Sequence, residues 1–434
     1  MKIFFNSLAF VSVLFFTSCE KKPMGCFTMS SSSVNVGQAV TFTDCSSTAK
    51  GLQLDKGKPA DWTWDFGDGN TGTGPSVTHS YSTIGEYMVT LIVRDEDKDR
   101  STTVTQYINV TRPSDLSRSG KFIAFTSNQD GDYDIYIAQV DPNSGTLATS
   151  GLIFSSNPYN LTNAFNALTD KQANWSPDGR ILLFSSKQSA GQENIYAFYF
   201  NVDGTLSSST PTLIKQETTA WDENPSFSPD GKYIIYDKRT DTNNDLIVDI
   251  SDSRDLMLSY TTNNISTISV DSTKQLTNTA GIDENNPKWS PIIAVQRIAY
   301  ESPSSSTATD HDVYVMDPLN TSNNINYNNP GSSGYPAWSP DCGSMIFESN
   351  SGNGGFYKIV VASYPTNTST TDIAKMAGKD YRYPTRVPNG NKIAFIEISS
   401  AIGNIYIINS DGSGTAVKLL PAAFDNADNS FPAW

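Results

Sequence analysis

Five oxygen-bearing side chains, Asp241, Asn243, Asp245, Asp249 and Asp252, fall at positions 1, 3, 5, 9 and 12 of one stretch. Carboxylates and amides in that rhythm converge when a loop winds around one hard cation, so a structural Ca2+ is the chemistry they could support. Leu246 stands where such a loop needs glycine, and the competing reading is a solvated turn rich in Asx side chains. A second set of acids recurs just ahead of a repeated motif: Asp222 with Glu223, Asp283 with Glu284, Asp380, and Asp425 with Asp428. Gathered at one channel mouth, they could bind a cation, a basic peptide or sugar hydroxyls. Dispersed, they would only cap turns and keep the surface soluble.

Other catalytic signals are sparse. The chain has two histidines, His79 and His311, too few and too far apart for a His-rich metal site. No G-x-S-x-G elbow, H-E-x-x-H helix or P-loop occurs. Gly67 to Gly72 satisfies G-x-G-x-x-G, but no helix pattern follows to receive a phosphate. Carboxylate-only chemistry, as in glycoside hydrolysis, stays open, although 45 acids do not single out a pair.

The cysteines belong with the N-terminus. Ile3 to Phe16 is mostly apolar, follows Lys2, and is too short to span a bilayer comfortably. Phe16-Thr17-Ser18-Cys19 resembles the lipobox of bacterial lipoproteins, which implies that residues 1–18 are a signal peptide and that Cys19 carries lipid. Residues 19–25 then form a tether, and acyl chains at roughly 0.8 kcal/mol per buried CH2 would hold the protein at the outer membrane. Cys26 and Cys45 flank a hairpin-like pattern turning near Asn35-Val36-Gly37, so a disulfide between them is expected. Cys342 is left as a partly buried thiol.

The elements that must position these side chains are short strands. The chain of 434 residues, with 11% aromatics and no long helical stripe, asks for an all-β fold in two or more units. A net charge of −15 makes nucleic acid an improbable partner. Within residues 26–112, period-two alternation runs through Val40 to Thr43 and Tyr87 to Val93, around Trp62-Thr63-Trp64-Asp65-Phe66-Gly67-Asp68-Gly69. With His79-Ser80-Tyr81 and Gly85-Glu86-Tyr87, this resembles a PKD domain, which implies an immunoglobulin-like β-sandwich used as a spacer or for adhesive contacts.

From residue 113 the chain repeats itself every 50 to 60 residues: Asn174-Trp175-Ser176-Pro177-Asp178-Gly179, Ser226-Phe227-Ser228-Pro229-Asp230-Gly231, Lys288-Trp289-Ser290-Pro291, Ala337-Trp338-Ser339-Pro340-Asp341 and Thr385-Arg386-Val387-Pro388. Each motif reads as an inner strand ending at an aromatic, a tight turn, and a strand pairing back. A repeat of that length with several strands is a propeller blade. The segment opens on the second half of a repeat, at Phe122 to Phe125, and closes on the missing first half, Asn429 to Trp434. Six blades sealed by the C-terminal strand are therefore expected. The W-S-P-D-G repeats resemble TolB-like propellers, which implies a periplasmic protein binding a peptidoglycan-associated lipoprotein at its channel mouth. Three functions follow as expectations, in this order. The first is a non-catalytic envelope lipoprotein that binds or scaffolds a protein partner, peptidoglycan-linked or otherwise. The second is a glycan-binding surface lipoprotein of a polysaccharide-processing system, which an exposed aromatic platform would favour. The third is a carboxylate-based hydrolase or lyase.

Overall fold

The computed structural model describes residues 24–35, 37–47, 62–81, 85–95, 100–111, 121–141, 143–165, 167–188, 191–201, 203–264, 267–327, 331–366, 370–376, 378–388, 390–400 and 402–434. Cys19, and residues 1–18 expected as a signal peptide, lie outside them. The chain forms two compact units, residues 1–110 and 111–434.

The first unit is a β-sandwich. Strands Phe27–Met29, Ala39–Asp44 and Ser76–Ser80 make one sheet; Ser33–Asn35, Arg100–Thr111, Gly85–Asp95, Trp62–Asp65 and Thr71–Thr73 make the other. Alternation sends Phe42, Trp62, Trp64, Val89 and Leu91 inward, at roughly 1.5–3 kcal/mol for each large side chain removed from water. Gly67 has φ +80°, and a Cβ there would meet the Met88 carbonyl oxygen at 2.7 Å, so the turn after Phe66 admits only glycine. His79 is structural: its Nε2 lies 2.8 Å from Asp68 Oδ2, and its ring stacks on Phe66 with centroids 4.2 Å apart. Cys26 and Cys45 are joined at the end of the first sheet, with Cα atoms 4.9 Å apart.

The second unit is a propeller of six sheets. From the axis outward, blade 2 runs Thr169–Trp175, Ile181–Lys187, Glu193–Tyr199, Thr212–Lys215, and blades 3 to 6 repeat the pattern from Ala220, Asn285, Ser333 and Asp380. Blade 1 takes its innermost strand, Asn429–Ala433, from the C-terminus; it pairs antiparallel with Phe122–Ser127. The six innermost strands touch in cyclic order, Asn429–Ala433 meeting both Asp380–Arg386 and Thr169–Trp175, so the ring closes. Closure removes the free edges an open stack would expose.

The blade strands read as continuous apolar runs because both faces of each sheet are buried. Phe122 and Ala124 pack toward blade 2, whereas Ile123 and Phe125 pack toward blade 6. Six hydrophobic clusters result, one at each junction between neighbouring blades. The turn motif supplies the local fixing. The Ser228 hydroxyl donates to Asp230 Oδ1 at 2.6 Å and accepts the Tyr233 N–H at 3.0 Å, and Ser176 and Ser339 do the same in blades 2 and 5. Gly179 and Gly231 take the left-handed conformation this turn needs, and in blade 5 Cys342 takes it instead, at φ +55°.

Candidate binding site at the propeller mouth

Each innermost strand carries the same irregularity. Its register shifts by one residue at Gln172, Asn224, Asn286, Tyr335, Tyr383 and Phe431, all with φ between +49° and +59°. These are six β-bulges, one per blade, and they turn six side chains toward the axis. A non-glycine residue held left-handed costs about 1–2 kcal/mol, and four of the six are clasped from behind. The Asn224 N–H donates to Ser185 Oγ (3.2 Å), Asn286 to Asp237 Oδ1 (3.2 Å), Tyr335 to Glu301 Oε2 (2.9 Å) and Tyr383 to Glu348 Oε2 (2.9 Å). Every acceptor stands on the second strand of the preceding blade, so the bulges lock the blades to one another.

The bulges also divide the channel. Tyr335, Tyr383 and Phe431 pack together with ring centroids 4.5 to 6.0 Å apart and form a floor. Beyond it, toward the Ser-Pro turns, lies a cavity of about 510 Å³ to which all six blades contribute. Its wall is a ring of aromatics, Trp175, Phe227, Trp289, Trp338 and Trp434, interleaved with Pro177, Pro229, Pro291, Pro340 and Pro388. Trp175 and Phe227 are 6% exposed and Trp289 and Trp338 7%, so only a small part of each of these four rings meets the space. Two cations, Lys288 and Arg386, line it, and no Asp or Glu does among the described residues.

On the far side of the floor the channel is ionic. Lys171 Nζ lies 3.1 Å from both Glu193 Oε2 and Glu223 Oε1. Glu223 Oε2 is 3.5 Å from Arg239 and 3.9 Å from Arg254, and Arg254 continues to Asp237 (3.6 Å) and Asp283 (2.9 Å). Burial alone would raise Glu223, but Lys171, Arg254 and Arg239 hold it at about 2. Burial and the neighbouring Glu223 charge push Glu193 up to about 7.

The acids expected at the mouth divide among several environments. Asp222 and Glu223 are adjacent on a strand and therefore face opposite ways. Glu223 enters the ionic channel, whereas Asp222 is fully buried among Lys215, Glu217 and Lys238, where burial pushes it to about 7. Glu284 is likewise buried between blades and pushed to about 7. Asp283 accepts the Arg254 N–H at 3.0 Å and Asp380 the Tyr357 N–H at 2.8 Å, each capping the third strand of the blade before. Asp425 pairs with Lys418 beside the 3-10 turn Ala422–Phe424, and Asp428 accepts the Tyr133 hydroxyl at 2.9 Å. None of these acids lines the cavity. In the Asp241 loop, Asp241 accepts the Asp245 and Leu246 N–H groups, Asp249 accepts Ser251, and Asp252 accepts Thr242, Asn243 and Asp249. Asn243 donates to Asp245 at 3.1 Å. The loop's oxygens thus face its own amides, the arrangement of an Asx-rich turn.

Residues 22–110 match the PKD domain family. Over 62 residues the chain is 42% identical to a microbial collagenase of Vibrio alginolyticus, a stretch that makes up 14% of this chain and 7% of that enzyme. Among solved structures, TolB from Acinetobacter baumannii superposes with a TM-score of 0.53 at 17% identity, covering 81% of this chain and 80% of its own. A chain of a nidogen/laminin complex gives 0.51 at 8% identity over 72% and 97%. At these identities the likeness shows the fold: a PKD sandwich followed by a TolB-like propeller.

Proposed function

We propose that this chain is a non-catalytic lipoprotein of the cell envelope, held at the outer membrane through Cys19, whose propeller mouth binds a protein partner. The observation that carries the reading is the cavity above the aromatic floor. It is walled by aromatics and prolines, and no Asp or Glu lines it among the described residues. A rigid apolar wall with a few polar groups is the composition of a recognition pocket. Hydrolysis by a carboxylate pair would need both acids within reach of a substrate. The candidate acid pair, Glu193 and Glu223, lies on the other side of the floor with both side chains about 5% exposed or less. A sugar site would need an open aromatic face, whereas four of the five wall aromatics are only 6–7% exposed.

The test is crosslinking in native membranes, pulldown of the tagged chain, and mass spectrometry, for wild type and Thr385→Tyr. Thr385 stands at the level where blade 4 carries Lys288, so the position accommodates a long side chain that would fill the cavity. One envelope protein recovered with wild type and lost with Thr385→Tyr is the expected outcome. Equal recovery from both chains would move the binding site away from the mouth.

A further inference from the structure

The cavity is the reverse of the protein's average electrostatics. The chain carries 45 acids against 30 lysines and arginines, yet this one space is lined by two cations and, among the described residues, by no acid. Neither cation is spoken for. Among the described residues no carboxylate lies within ion-pair distance of Lys288 or Arg386, whereas Lys171, Arg254 and Arg382 nearby all have one. The Arg386 Nε is buried with no hydrogen-bond partner. Burial depresses Lys288 to about 8, eased by the charge of Asp237, and burial lowers Arg386 as well, eased by Asp341. A half-buried cation without a counterion is a standing cost, and a carboxylate entering the cavity relieves it.

Placement in the repeats marks the same two residues. Lined up on the bulges, Lys288 shares its position with Asn174, Ser226, Ala337, Thr385 and Ala433, all shorter. Arg386 shares its position with Trp175, Phe227, Trp289, Trp338 and Trp434. Neither charge is needed to build a blade, since the other blades do without it. Two and three residues beyond the bulge, the cations stand ~7 and ~10 Å above the aromatic floor at about 3.3 Å per residue. At that height they meet a group on the flank of an entering segment rather than at its buried tip.

We infer that the mouth selects an acidic side chain, Asp or Glu, on the protein partner, its carboxylate pairing with Lys288 and Arg386. This rests on the protein-binding reading above and names the chemistry of the contact. The arginine fork would take the carboxylate by two hydrogen bonds and the ammonium as a point charge.

The test is calorimetric titration of the full chain in detergent with three peptides and one sugar: acetyl-Ala-Glu-Trp-amide, its Gln counterpart, the Gln peptide with a free C-terminal acid, and glucuronate. The Glu peptide is expected to bind about tenfold tighter than the Gln amide, as a desolvated ion pair should. In Lys288→Ala/Arg386→Trp the preference should fall to within about twofold at an undiminished melting temperature. Those substitutions install residues other blades already carry, which keeps the fold. Four results would overturn the inference: equal binding of the Glu and Gln amides, no binding of either at millimolar concentration, a preference that survives the double substitution, or equal gain from the free C-terminus. Preferential uptake of glucuronate would replace the peptide with an acidic glycan. Pulldown separates the two readings: a partner lost with Thr385→Tyr but kept with the double variant leaves protein binding standing and removes the acidic contact.

Discussion

Two neighbouring carboxylates set opposite pH windows in this protein. Asp222 is held near 7 by burial, eased only in part by Lys215 and Lys238, against an ordinary value of 3.8. Between pH about 4 and about 7 the folded chain therefore holds a proton that the unfolded chain has lost, and stability falls as pH rises through that range. Asp170 and Glu301, also pushed to about 7 by burial, add to the same slope. Asp222→Asn is expected to be near neutral at pH 4 and to stabilise by on the order of 1–3 kcal/mol at pH 8, read by urea titration at both values. A loss at pH 8 would mean that Lys215 and Lys238 hold a true ion pair there. Glu223 runs the other way: its pKa lies below that of the unfolded chain, so its contribution is present above about pH 4.5 and is lost toward pH 2. Glu223→Gln should cost roughly 3–5 kcal/mol at pH 7, because three cations would lose a buried partner. Cys342 is buried and its thiol is raised by burial, so in native protein it should resist Ellman's reagent and react promptly only in denaturant.

At the scale of elements, the bulge is the unit that matters. It swings the left-handed residue toward the axis and sets the positions two and three residues on at the cavity wall. It also places the preceding residue against the neighbouring blade. Gly334 shows how tight that fit is: a Cβ there would overlap Glu301 Oε2, which accepts the Tyr335 N–H, while Asn286 Nδ2 holds the carboxylate's other oxygen, Oε1, at 2.8 Å. Gly334→Ala should destabilise the propeller by about 1–3 kcal/mol, measured by thermal unfolding, with the sandwich unaffected. The bulges also explain what could be read from the chain and what could not. Blades were legible because Trp-Ser-Pro-Asp-Gly is local turn chemistry, and the sandwich because Trp64 to Gly69 encodes one turn. The acids ahead of each motif were grouped as one ring because period two was not carried through Asp222 and Glu223. The floor was hidden because a bulge is a change of phase with no residue type of its own. Lys288 and Arg386 were visible all along as the odd members of two columns, one of short side chains and one of aromatics.

For the whole molecule, ring closure dominates. Removing residues 429–434 strips blade 1 of its inner strand, exposes the edge of Phe122–Ser127, and takes Phe431 from the floor and Trp434 from the wall. The truncated chain is expected to lose cooperative unfolding and to elute as aggregates in size-exclusion chromatography, whereas Trp434→Ala alone should leave the ring closed.

That closing strand also sets a timetable. Asn128 and Asp428, which hydrogen-bond at the seam of blade 1, are 300 residues apart in the chain. At ~5–20 residues per second a ribosome needs ~15–60 s to make that stretch, and throughout it the strand Phe122–Ser127 has no inner partner. The first blade is thus the earliest part of the propeller to be made and the last to be finished. Until residues 429–434 follow, the inner edge of Phe122–Ser127 stays unpaired and the ring cannot close.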